Sequence, residues 1–127
     1  MKGLIIKDRP VSMIISGKKT WEMRSRDTSV RGRIALIKGG SGTVVGVADL
    51  VGTYPKLSQA ELKANFEKHR VSADDIGSDF KYSTAWVLER ARPLRDPVPY
   101  RHRRGAVIWV NLDPAVAAAV EAQLTGK

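Results

Sequence analysis

The sequence predicts an α+β fold, a compact mixed β-barrel of about six strands with three or four peripheral helices. Three observations predict it. The chain has 127 residues, the size of one domain around one core. Val- and Ile-rich runs of strand length recur along it. Helical patterns fall between those runs irregularly, without the β–α alternation of a doubly wound sheet. No internal repeat or low-complexity segment divides the chain, so a single domain over residues 1–127 is expected.

Met1 to Lys7 reads as a strand around Leu4, Ile5 and Ile6. Pro10 suits the first turn of a helix whose apolar face is Val11, Ile14 and Ile15, and Gly17 suits its C-terminal stop. Lys18 to Ser25 is extended, because Thr20, Trp21 and Met23 make no helical stripe. Arg33 to Lys38 is a second extended segment, followed by the flexible turn Gly39-Gly40-Ser41-Gly42. Thr43 to Val51 is a Val-rich strand, with Gly46 marking a bulge or a sharp bend.

Ser58 and Glu61 have capping-box spacing, and Leu62 and Phe66 are an i, i+4 apolar pair, which predicts one helix from Ser58 to His69. Ser72 and Asp75 repeat the capping spacing and predict a shorter helix. Thr84 to Arg90 is a strand, and Pro93, Pro97 and Pro99 are expected to break the next stretch into a loop. Ala106 to Leu112 is a final strand, and Asp113-Pro114 opens an Ala-rich helix over residues 115–124.

Composition narrows the function. Lys and Arg total 22 against 13 Asp and Glu, a net charge of +9, which favours a polyanionic partner by long-range attraction and counterion release. The absence of cysteine excludes a disulfide scaffold and a Cys nucleophile, and two histidines, His69 and His102, are too few for an expected metal site. No cofactor is expected. No apolar run has the length of a membrane span and the N-terminus lacks a signal-peptide pattern, so the expected location is the cytoplasm, with no membrane partner and a monomer as the default.

One segment carries a resemblance. Gly17-Lys18-Lys19-Thr20-Trp21-Glu22-Met23-Arg24 is similar to the ASCH signature Gly-x-Lys-x-x-Glu-x-Arg. Gly46-Val47-Ala48-Asp49-Leu50, Ala85-Trp86-Val87-Leu88, Pro99-Tyr100-Arg101-His102 and Gly105 to Val110 resemble further stretches of the short bacterial members, in order. The resemblance implies a PUA-like β-barrel with a cleft lined by the signature and a partner that is RNA or a nucleoside or nucleotide. Some members are ribonucleases, and one branch removes the acetyl group of N4-acetylcytidine. That branch uses a Lys, a Thr three residues later and a distant Glu. Lys19 matches the Lys, but Glu22 stands where the Thr would be, and Glu67, Asp74 and Asp75 are the candidates for the distant acid.

Strand alternation puts Thr20, Glu22 and Arg24 on one face and Lys19, Trp21 and Met23 on the other. Lys19 lies where helix gives way to strand, so it can reach the same cleft as Glu22. Glu22 and Lys19 are the candidate acid–base pair, and Arg24 the candidate grip on a phosphate or carbonyl. The alternative is a structural Glu22–Arg24 ion pair beside a solvated Lys19. Trp21, Tyr82, Trp86, Tyr100 and Trp109 are candidate stacking surfaces, with Trp109 better suited to the core. Lys38 and the run Arg101, His102, Arg103, Arg104 are candidate phosphate contacts, or simply solvated charge. Asp49, inside an apolar strand, suits a structural pairing with Arg or Lys. Two functions follow: a binding module for single-stranded RNA or one nucleobase, and a hydrolase acting on RNA or a modified nucleoside. A third, a protein-interaction domain using the C-terminal helix, has no specific sequence support.

Overall fold

A computed structural model describes residues 1–125. Six strands form one sheet: β1 (Lys2–Ile6), β2 (Trp21–Arg24), β3 (Gly32–Lys38), β4 (Thr43–Tyr54), β5 (Thr84–Pro99) and β6 (Trp109–Asn111), in the order β2-β5-β4-β3-β1-β6. β1 and β3 are parallel, and every other pair is antiparallel. Among the described residues four α-helices accompany the sheet, α1 (Asp8–Ile15), α2 (Gln59–Ala64), α3 (Phe66–His69) and α4 (Pro114–Thr125), and the shorter helix expected after Ser72 is a single 3-10 turn over Ala73–Asp75. Among the described residues no helix is long and apolar enough to cross a membrane.

The sheet curls into a half-barrel, as contacts between strands distant in its order show. The Arg24 Nη2 of edge strand β2 donates to the Ile5 carbonyl of β1 at 2.8 Å. Trp86 of β5 stacks on Trp109 of β6 with ring centroids 5.7 Å apart. The β3 run Ile34 to Ile37 is apolar without interruption because both its faces are covered. Ile34 and Leu36 pack with Leu4, Val11, Ile14, Leu50 and Trp86 in one core. Ala35 and Ile37 pack with Val44, Leu94, Val120 and Leu124 in a second, on the α4 side.

Several boundaries follow the sequence pattern. The Gly17 N–H donates to the Ile14 carbonyl with φ +83, which ends α1 as glycine does. Ser58 and Glu61 form the reciprocal capping box of α2. The bulge expected at Gly46 is present, since the register of β4 shifts there against both neighbours. A Cβ on Gly46 would lie 2.8 Å from the Arg92 carbonyl oxygen and 3.0 Å from Ile15 Cδ1, so only glycine fits without movement.

Four expectations are corrected. The single helix over 58–69 breaks at Asn65, whose φ −120 and ψ 31 leave the helical region, so α2 and α3 are separate. The segment with Pro93, Pro97 and Pro99 is not a loop but the second half of β5. Proline is tolerated there because β2 pairs only with residues 84–87, leaving the later part of β5 with β4 alone and with register shifts. β4 runs three residues past Val51, to Tyr54, because that long partner extends it. The last strand is Trp109–Asn111 only, paired with Lys2 to Leu4 of β1; ahead of it Val107 and Ile108 are exposed, with just the Ile108 carbonyl accepting from the Ile5 N–H.

Candidate functional site

β2 forms the floor of a cleft of about 600 Å³. Lys19, Glu22, Met23 and Arg24 line that floor. Ile5, Lys7, Pro10, Gly39 and Val107 come from β1, α1 and the turns beside them, and Val71, Asp75, Phe80 and Tyr82 from the segment between α3 and β5. The two cations of the floor are anchored to backbone from these two groups. The Arg24 guanidinium is held by the Ile5 carbonyl. The Lys19 Nζ donates to the His69 carbonyl at the end of α3.

Glu22 pairs directly with Arg24 and acts on Lys19 through its charge. Arg24 Nε donates to Glu22 Oε2 at 2.9 Å, and Nη2 lies at the same distance from that oxygen. Glu22 and Lys19 are 8% and 5% exposed, so both charges are desolvated and depend on their partners. Burial holds the Lys19 ammonium below the ordinary lysine pKa. The Glu22 carboxylate acts in the opposite direction, and Arg24 adds to the lowering. Arg24 also lies over the Trp86 ring at 5.5 Å, so its planar group is fixed from one side by an aromatic face and at its rim by two acceptors.

His69 positions Lys19 without lining the cleft. Its ring is fully buried, with Nδ1 accepting from the Val71 N–H at 2.9 Å and Nε2 donating to the Leu62 carbonyl. This lock fixes the main chain whose carbonyl receives Lys19. At the next residue, Arg70, the chain turns with φ +61, and its Nε returns to the Lys18 carbonyl at 2.9 Å.

Strand alternation accounts for Glu22 and Arg24 sharing the cleft, and the helix-to-strand junction accounts for Lys19 joining them, but Met23, expected on the opposite face, lines the cleft as well and Thr20, expected on theirs, does not. Thr20 and Trp21 line a different pocket, of about 440 Å³, whose wall also includes Lys19. Trp21 is buried there against Tyr54, with ring centroids 5.4 Å apart, and Lys68 lies 5.0 Å over its ring. Tyr82 lines the main cleft and packs edge-on to Phe80 at 5.9 Å. Trp86 is in the core, 2% exposed, with its indole N–H on the Arg26 carbonyl at 2.8 Å. Its partner Trp109 is half-buried against the same core.

Lys38 pairs with Asp8 at 3.5 Å beside the cleft-lining Gly39 and does not itself line the cleft. Arg101 and His102 lie on the exposed loop ahead of Val107, with His102 Nδ1 3.0 Å from the Tyr100 hydroxyl. Asp49 pairs with Arg90 at 2.6 Å. Of the three acids weighed as a distant partner of Lys19, Asp75 lines the cleft. Sequence reasoning missed Lys7, Val71, Phe80 and Val107. The signal for Phe80 is an aromatic residue two positions before Tyr82 in a polar, Gly- and Asp-containing stretch that offers no core to bury it.

The sequence profile of the ASCH domain matches residues 4–98. Among solved structures, the crystal structure of ASCH from Zymomonas mobilis is similar over 95% of this chain and 93% of that one, with a TM-score of 0.72 and 18% identity. Crystal structures of a Tyr-to-Phe and a Ser-to-Ala variant of that Zymomonas protein match with the same score and identity, covering 95% of this chain and 96% and 94% of theirs. No functionally curated protein matches the sequence.

Proposed function

The chain belongs to the ASCH domain family, and on that premise we propose that it binds RNA through one nucleobase seated in the Lys19–Glu22–Arg24 cleft. One observation carries the reading: a desolvated carboxylate paired with Arg24 shares the floor of a cleft with the backbone-anchored Lys19, and an aromatic pair lies in the cleft wall. A volume of about 600 Å³ falls in the range of small-ligand sites and suits one nucleoside unit rather than a duplex. Glu22 is an acceptor for an exocyclic amine, Lys19 and Arg24 are donors to base carbonyls or to phosphate, and Phe80 and Tyr82 supply a ring surface. The net charge of +9 supports attraction to a polyanion.

The test is fluorescence anisotropy of a short labelled RNA at low and physiological salt, with the wild type and the Lys19→Ala/Arg24→Ala variant. Saturable binding that weakens in the variant and with salt is the expected result. Salt-insensitive or absent binding overturns the reading.

A second reading, hydrolysis of RNA or of a modified nucleoside, is favoured by one observation. Lys19 is a buried amine with a lowered pKa beside Glu22, and Asp75 faces the same cleft. An amine in that state is available as a base nearer neutral pH. The same samples on a denaturing gel decide for a nuclease, and a screen of acylated nucleosides decides for an amidohydrolase. Product that disappears with both Glu22→Gln and Lys19→Ala supports this reading, and turnover unchanged in both removes it.

A further inference from the structure

β5 departs from regular pairing after Glu89. Asp49 lies opposite Glu89 and Val47 opposite Arg92, so Arg90 and Ala91 together face Ala48. Within this bulge Arg90 takes φ +52, a conformation natural to glycine, which an arginine keeps only when its surroundings hold it. Asp49 and Glu89 hold it, accepting from Nε at 2.6 Å and from Nη1 at 3.1 Å. Bulges re-aim side chains. This one brings Arg90 into a groove of about 300 Å³ beside α4, lined also by Arg33, Val47, Asp49 and Arg92.

Three guanidiniums therefore meet one carboxylate in that groove. Arg33 is steadied from outside it by Glu121 at 3.1 Å. Arg92 donates to the Leu124 carbonyl at 3.3 Å, a contact that positions the group without neutralising it. Arg90 also borders the neighbouring 440 Å³ pocket, where Lys68 adds a cation and the half-exposed Tyr54 a ring face. Cations from three elements and an exposed aromatic thus line adjoining pockets that share Arg90, and the 440 Å³ pocket shares Lys19 with the base cleft.

We propose that the Arg33–Arg90–Arg92 groove docks the phosphodiester backbone of the single-stranded RNA whose base enters the cleft, with Tyr54 offering a stacking face to a further nucleotide. The proposal rests on the RNA reading of the cleft. Guanidiniums are suited to phosphate because their fork of N–H donors matches two phosphate oxygens, and the carboxylates on Arg33 and Arg90 and the Leu124 carbonyl on Arg92 keep them oriented before RNA arrives.

The test uses a labelled RNA of roughly ten nucleotides, titrated from about 50 to about 300 mM salt, with the wild type and Arg33→Gln/Arg92→Gln. The double variant should lose about tenfold in affinity at the low-salt end, and its salt slope should fall by about 1.4, at about 0.7 per phosphate contact on a single strand. Arg33→Lys/Arg92→Lys keeps the charge and should keep a slope close to wild type, which separates loss of phosphate contacts from loss of fold. Equal affinity and slope in the Gln variant and the wild type overturns the groove. Glu22→Gln identifies which idea has failed: weakened binding there with an unaffected Gln double variant removes the groove alone, whereas no RNA binding by the wild type removes the cleft reading and the groove with it.

Discussion

The Nζ of Lys19 donates to the main-chain carbonyl of His69, 50 residues further along the chain. That bond ties the residue before β2 to the end of α3 and gives the buried amine of Lys19 a main-chain partner in place of water. The strand and the short helices around the cleft are therefore one mechanical unit, and both pH and substitution should reveal it.

The pH dependence has a definite sign. The pKa of Lys19 is lowered in the folded protein by burial and returns to about 10.5 in the unfolded chain. Between those two values the unfolded chain holds the extra proton, so stability rises with pH across the window; below the lower value the buried ammonium exerts its full penalty. Wild type should gain stability relative to Lys19→Met as pH rises towards about 10.5, measured by urea denaturation. Parallel pH profiles for the two proteins would contradict the assignment.

His69→Ala removes a ring that satisfies the Val71 N–H and the Leu62 carbonyl, and leaves a cavity at a fully buried position. The expected loss is about 2–4 kcal/mol in denaturant unfolding. RNA affinity should also fall, though His69 does not line the cleft, because the carbonyl that receives Lys19 is no longer fixed. Unchanged affinity in the folded variant would separate His69 from the site.

Arg24→Lys keeps the charge and loses the geometry. One ammonium cannot reproduce both the Nε and Nη2 bonds to Glu22 and Ile5. Stability should drop by about 1–2 kcal/mol, since the pair is mostly desolvated, and RNA affinity should weaken about tenfold. Thermal melts and anisotropy on the same preparation check both numbers.

Gly46→Ala places a methyl against the Arg92 carbonyl and Ile15. Backbone cannot yield as a flexible side-chain end can, so the expected cost is about 1–3 kcal/mol. Urea denaturation checks the cost, and a stability equal to wild type would contradict the clash.

Local chemistry made much of this legible from residues alone. The Ser58–Glu61 cap, the Gly17 stop and the β3 apolar run each follow from neighbours within a few positions, and each lies where the pattern put it. What was not legible depended on partners far away in sequence. The prolines of β5 read as loop because a strand with neighbours on both sides could not hold them, and the reach of β2, only as far as residue 87, was invisible. The aromatic surface of Trp86 reads equally as a platform or as core until Trp109 stacks on it from β6 and Arg24 covers it from β2. In the candidate site, Glu22 and Arg24 were readable through the period of a strand. The Lys19 anchor was not, since a carbonyl carries no residue type, and the separation of Thr20 and Trp21 into their own pocket reflects the position of Tyr54 at the far end of β4.

The three prolines of β5 have a further consequence for encounters between molecules. Beyond residue 87 this strand has no β2 neighbour, and such a rim of free donors and acceptors normally invites a strand from another molecule. At positions 93, 97 and 99 there is no N–H to offer, and α4 occupies further groups through Gln123 on the Asp96 N–H and carbonyl. An incoming strand would find a ladder with missing rungs. The longest strand of the fold is thereby guarded against edge-to-edge aggregation by the same residues that made it look like a loop.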